Sequence, residues 1–348
     1  MISQSANRSQ EKAGENFHLL QFTALGTRCT LKFREADEQE AAGFSAEVLS
    51  WISAFEARFS RYQPDSIVSR VNAAAGHGWT PVDKEMDRLL DIADDFYERT
   101  HGMLDPTMLP LIRIWDWRSI RLALPETMEI KEALELTGWE MVERRPGLVR
   151  LPKQGMGLDF GYFAKEYAVD ELARIANRRG ISNALIDLGR DVFALGGNGM
   201  HSFWHIGIED GVNPGQCRGG LAVSDLGVST SGDFTRYFMH DGVRYGHILD
   251  PRTGWPVRNG MRAVTVIAPS CVLAGMYSTA ACILGRRDGT QLALLARDVD
   301  ICFQNESGVE SSPGFDRFFF QAVCEIPSQV PVGTGPHRLM RELALLPH

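Results

Sequence analysis

The chain has 348 residues, 44% of them hydrophobic and 23% charged, a globular composition that excludes fibrous and disordered classes. Its 36 basic and 44 acidic residues leave a net charge of −8, which gives nucleic acid no basic footprint to bind. No window supplies the roughly 18 apolar residues of a membrane span, and the apolar run Ala263 to Ala268 stops at Pro269.

Taken in chain order, residues 1–17 are polar, with neither an apolar core nor a cleavage site. They are expected to be a flexible segment of a cytoplasmic protein, a trimmed periplasmic precursor being the alternative. From His18 to Arg34, Cys29, Leu31 and Phe33 alternate with Thr30, Lys32 and Arg34, predicting strands about a turn at Gly26. The period then becomes helical. Val48, Ile52, Phe55 and Phe59 form one stripe, and Met86, Leu89, Ala93 and Phe96 form another after Asp83. Arg150–Leu158 reads as extended, and Phe163–Arg179 as a helix ended by Gly180.

Short strands are predicted at Asn183–Leu188, Val192–Leu195 and Phe203–Glu209, and Asp241 with Gly242 marks a hairpin. A strand at Val264–Ile267 precedes helices at Val272–Leu284 and around Gln291–Arg297, with final strands at Cys302 and Phe318–Val323. Strands and helices mix without regular βαβ alternation, which predicts an α+β fold of mixed, largely antiparallel sheets flanked by helices. One domain is expected over 18–325, followed by a proline-punctuated tail over 326–348 that carries a short helix. The six cysteines form no paired motif, so isolated buried thiols are expected instead of zinc or disulfides.

The 34 glycines cluster in loops between 155 and 161, 189 and 199, 227 and 232, and 242 and 254. Such loops let backbone amides approach phosphate oxygens. None has the spacing of a Walker loop or a Rossmann fingerprint.

Four segments stand out together: DPTMLPLIRIWDW from Asp105, LDFGYFAKEYAVD from Leu158, GVSTSGDFTRYF from Gly227 and HILDPRTGWPV from His247. With FSRYQPDSIVSRVN at Phe59–Asn72, NALIDLG at Asn183–Gly189 and the helix carrying Ser278 and Thr279, they resemble the ApbE-like flavin transferases. That resemblance implies an ApbE-like fold and transfer of FMN from FAD to a threonine hydroxyl of a partner flavoprotein, with release of AMP. It also implies that Leu25, Tyr62, Met103, Leu104, Asp105, Asp159, Lys165, Ser231 and Leu249 contact FAD. Asn72 would lie near the adenine side, and His247 would be the general base. A magnesium ion would be met by the Tyr162 main-chain carbonyl and by Ser278 and Thr279. Ser229–Asp233 is expected as a turn whose amides and hydroxyls face phosphate.

The pattern departs from the family at four positions. Gly275 stands where a metal-binding aspartate is usual, Glu166 and Arg190 where glycines are usual, and Tyr162 where a small residue is usual. The expectation is that FAD binding depends little on magnesium and that Arg190 supplies positive charge. Glu166 is the nearest carboxylate able to compensate, inward and outward directions both being open. A non-catalytic FAD-binding module and an FAD pyrophosphatase are the alternative functions.

Overall fold

The structure, a computed structural model, describes residues 4–7, 17–116, 123–234 and 236–320. The expected tail and its short helix, residues 321–323 of the expected last strand, and most of the N-terminal segment lie outside the described residues. Residues 4–7 form a strand antiparallel to Phe17–Ala24.

The central sheet has nine strands among the described residues. In spatial order they are Gln4–Asn7, Phe17–Ala24, Thr27–Arg34, Ala184–Leu188, Val192–Leu195, Leu226–Gly232, Met261–Ala268, Asp300–Asn305 and Gly308–Ser311. Every neighbouring pair is antiparallel. This is the α+β architecture that the mixed pattern predicted.

Both helical stripes are buried as predicted. Val48, Ile52, Phe55 and Phe59 lie on the inner face of Glu38–Phe59. Met86, Leu89, Ala93 and Phe96 do so on Lys84–Arg99, whose first turn is capped by Asp83 accepting from the Met86 amide at 2.9 Å. The hairpin at 241–242 forms between Tyr237–His240 and Val243–Gly246, with Asp241 and Gly242 both at positive φ.

Two expectations shift. The helix expected around Gln291–Arg297 runs over Arg286–Leu295. Gly289 lies inside it because a Cβ there would come within 2.8 Å of the Ala281 Cβ; close helix approach, not a loop, explains that glycine. Ser229 to Gly232 is not a turn but the end of the central strand Leu226–Gly232, paired with Met261–Ala268. Val192–Leu195 pairs only with Leu226–Val228, so Ser229–Gly232 is held in the ladder by Met261–Ala268 alone, with its hydroxyls left to other partners.

Two helices cover the sheet at the centre of interest, Ala164–Arg178 and Cys271–Leu284. Asp170 of the first accepts from the Cys271 and Val272 amides of the second, at 2.8 and 3.0 Å. A carboxylate on a helix N-terminus meets both the unpaired amides and the positive end of the macrodipole. This cap sets the first helix's opening turn, with Lys165 and Glu166, beside the middle of the second, with Gly275 and Thr279.

Candidate active site

The central strand presents Ser229 and Ser231 on one face, two residues apart. Ser229 Oγ donates to Asp191 Oδ1 at 2.5 Å. Ser231 Oγ lies 2.9 Å from Ser278 Oγ and 2.8 Å from Thr279 Oγ1. Thr230 points the other way and meets Thr265 Oγ1 at 2.9 Å. Three predicted site residues, Ser231, Ser278 and Thr279, are thus one hydroxyl cluster between strand and helix.

Lys165 forms an ion pair with Asp191 and lies 3.9 Å from Glu166 Oε1. Burial alone would lower the ammonium's pKa, but the two carboxylates hold it above the ordinary lysine range. Asp191 is 4% exposed and was missed by the sequence reading, although it directly follows Gly189 and Arg190. Gly189 and Arg190, at φ 70° and 77°, make the tight turn that delivers it.

Glu166 turns inward and is 5% exposed. Its Oε2 is buried with no hydrogen-bond partner, and burial together with the Asp191 charge raises its pKa. A Cβ at Gly275 would lie 2.7 Å from Glu166 Cγ and 2.9 Å from Oε1. The glycine at 275 therefore makes room for this carboxylate.

His247 is half-buried, and its Nδ1 lies 3.3 Å from the Arg236 carbonyl. A carbonyl only accepts, so Nδ1 carries the proton and Nε2 keeps its lone pair. Burial, with the nearby Arg236 and Lys165 charges, pushes its pKa down to about 4. The ring is a neutral base at ordinary pH.

The remaining predicted residues form a rim. Arg61, which the sequence reading did not select, joins two of them: its Nε meets Asp159 Oδ2 at 2.8 Å and its guanidinium stacks 4.2 Å from the Tyr62 ring. The Asp159 amide donates to the Pro106 carbonyl at 2.8 Å, tying together the loops after Asp105 and Leu158. Met103 and Asp105 line a cavity of about 320 Å³ shared with Tyr97, Glu140 and Arg252. Leu104 is buried beside them, and Leu249 is buried under the 247–257 loop. Leu25 occupies the turn of the first hairpin, where its amide donates to Glu56 Oε1 at 3.1 Å.

Three residues carry structural duties that motif reading does not display. Asn72 is a clamp, its amide donating to the Leu158 carbonyl at 3.0 Å while its carbonyl accepts from the Leu158 amide at 2.6 Å. Arg190, expected to supply charge, is engaged by Glu209 at 2.7 Å, and Lys165 is the cation inside the cluster. Tyr162 packs its ring on Phe163 and leaves its hydroxyl buried without a partner.

Among the described residues no three His, Cys, Asp or Glu side chains converge on one point. Glu166 lies against Gly275, one helical turn before Thr279, and its unsatisfied carboxylate oxygen and the Ser278 and Thr279 hydroxyls are hard donors of the kind that a small divalent cation takes. Among the described residues Cys29, Cys271, Cys282 and Cys302 are buried free thiols, and no helix there is long and apolar enough to cross a membrane.

The chain is similar to known proteins over most of its length. The ApbE family model matches residues 25–303. The FAD:protein FMN transferase of Treponema pallidum is 32% identical over 299 residues, covering 80% of this chain and 82% of that protein. A second one, from Klebsiella pneumoniae, is 29% identical over 277 residues, covering 77% and 79%. Among solved structures, the ApbE protein of Thermotoga maritima superposes with a TM-score of 0.80 at 31% identity, covering 88% of this chain and all of that one. The apo flavinyl transferase ApbE of Pseudomonas stutzeri gives 0.79 at 28% identity, covering 90% and 100%.

Proposed function

Because the chain belongs to the ApbE family, we propose that it is an FAD:protein FMN transferase that moves FMN from FAD onto a threonine hydroxyl of a partner flavoprotein. The threonine Oγ bonds to the FMN phosphorus, the bond from that phosphorus to the bridging oxygen breaks, and AMP leaves with that oxygen. His247 Nε2 takes the threonine proton. The observation that carries this reading is the contact of His247 Nδ1 with the Arg236 carbonyl, which only accepts, so that Nδ1 bears the proton and Nε2 is left to accept another.

Lys165 provides fixed positive charge toward the pyrophosphate, held in place by Asp191, which is in turn held by Ser229. Tyr62, exposed and backed by Arg61, offers a ring face to an aromatic part of FAD. Met103, Asp105 and the cavity beside them accommodate another part of the dinucleotide. Magnesium, when bound, neutralises phosphate charge. Ser278, Thr279 and the Tyr162 main-chain carbonyl are the groups on this chain assigned to it, and the unpartnered oxygen of Glu166 is the observation that supports such a fit.

The test is to incubate the protein with FAD and an apo-flavoprotein that carries an acceptor threonine, then assay AMP and covalent flavin. AMP with in-gel flavin fluorescence on the acceptor is the expected result. AMP without labelling identifies a pyrophosphatase, and bound flavin with neither product identifies a binding module.

A further inference from the structure

We propose that Glu166 is a divalent-cation ligand and that Glu166 and Gly275 act as a reciprocal pair, the carboxylate being supplied from one helix into space that the other helix leaves open. The cation's setting as part of an FAD site rests on the function proposed above; the ligand assignment does not.

Three observations carry it. The first is exclusion: a Cβ at 275 would sit 2.7 Å from Glu166 Cγ, so a carboxylate can reach this point from position 166 or from position 275, but not from both. The second is an unpaired atom. Glu166 Oε2 is buried with no partner in a side chain that is 7% exposed. Leaving a carboxylate oxygen buried and unsatisfied is costly, and such a group persists where something pairs with it.

The third is charge. Lys165 is the ammonium in the cluster and it rests on Asp191, lying 3.9 Å from Glu166 Oε1. Asp191 takes the ammonium in close contact, so Glu166 is the carboxyl group left without a close cation in a buried place. Gly275 lies one helical turn before Thr279, so a cation beside Glu166 has the Thr279 hydroxyl on the same helix face, and Ser278 is joined to Thr279 through Ser231. Carboxylate and hydroxyl oxygens are hard donors, the set taken by magnesium or manganese and avoided by soft metals. The sequence alone predicted a weakened metal site from the glycine at 275. The fold returns a carboxylate to the same place from the other helix.

The experiment is Mn²⁺ titration followed by electron paramagnetic resonance of the free ion, on purified full-length protein without FAD and again with saturating FAD. The wild type should bind one Mn²⁺. Glu166→Gln should weaken binding at least tenfold while unfolding within a few degrees of wild type in chelator, since the oxygen it replaces has no hydrogen-bond partner to lose. The exchange Glu166→Gly with Gly275→Asp should restore affinity to within about fivefold of wild type, because it moves the carboxylate back across the helix pair. Glu166→Gly with Gly275→Ala should not bind, and it serves as the comparison should Glu166→Gln fail to fold. Wild-type protein that binds no Mn²⁺ in either state overturns the proposal, and so does equal affinity in Glu166→Gln or in Glu166→Gly with Gly275→Ala. Because the titration is read without turnover, its outcome is separate from that of the transfer assay.

Discussion

Lys165 and Asp191 form an ion pair that joins the first turn of a helix to the end of a sheet turn, and the Asp191 side chain in that pair is 5% exposed. Its other oxygen accepts from Ser229 Oγ at 2.5 Å, so helix, turn and central strand meet on one carboxylate. The lysine of the motif is therefore built into the fold.

Removing Lys165 leaves Asp191 buried without its cation. Lys165→Ala should cost about 3–5 kcal/mol of stability, the range for breaking a buried pair on one side. Lys165→Met combined with Asp191→Asn should cost clearly less, because no lone charge remains. Urea unfolding of the three proteins measures this, and equal losses in the single and double variants would mean that the pair is not coupled.

His247 makes two pH predictions. Its folded pKa of about 4 lies below the ordinary value of 6.5, so between those values the unfolded chain binds more protons than the folded one. Its contribution to stability is present above pH 6.5 and is lost as pH falls toward 4, a component that His247→Asn should lack. For the reaction, kcat/KM reports the free enzyme and should show no fall from loss of this base between pH 8 and about pH 5. His247→Ala should lower transfer by about 10²–10⁴-fold with little change in the FAD Kd. A variant that transfers at the wild-type rate would remove it from the chemistry.

Asp105 is aimed at its own loops. Its Oδ1 accepts from the Thr107 amide at 2.7 Å and from Thr107 Oγ1 at 2.5 Å, and its Oδ2 accepts from the Trp139 amide at 3.2 Å. An asparagine would turn an amino group toward one of these donors. Asp105→Asn should therefore lose about 1–3 kcal/mol of stability, visible as a lower Tm without FAD. A change confined to FAD affinity, with Tm intact, would assign Asp105 to the ligand alone.

Arg190 adopts φ 77° and spends its guanidinium on Glu209 at 2.7 Å. A non-glycine side chain in this region is strained by about 1 kcal/mol. Arg190→Gly should then leave stability unchanged or slightly higher and keep FAD affinity within about twofold. A tenfold loss of affinity would return the arginine to the phosphates.

Tyr62 is 53% exposed, so its removal should barely touch the core. Tyr62→Ala should change stability by less than about 0.5 kcal/mol and weaken FAD binding about tenfold, equivalent to ~1.4 kcal/mol. Tyr62→Phe should keep most of the affinity, since the ring face is retained. Flavin fluorescence titration distinguishes the three proteins.

Local periodicity encodes the elements that were legible without the fold. The stripes of Val48 to Phe59 and Met86 to Phe96 declare their buried faces because a helix repeats every 3.6 residues whatever it packs against. The turn at Asp241 and Gly242 was legible because few residues accept positive φ twice in a row. The ordered motifs located Lys165, His247 and the Ser278 and Thr279 pair in the chain.

Tertiary structure decided which groups these residues face. Ser229 to Gly232 looked like a polar turn because hydroxyls and glycine carry no strand period; pairing with Met261–Ala268, distant in the chain, made it the end of a strand. Whether Glu166 points inward depends on the absence of a side chain at Gly275, in another helix, and on the Asp170 cap that sets the two helices together. Asp191 could be recognised only once the turn at Gly189 and Arg190 had brought it under Lys165. A residue's helical or strand period fixes which way its side chain leaves the backbone, but the partner it meets and the charge state that follows are set by segments that only the fold brings into contact.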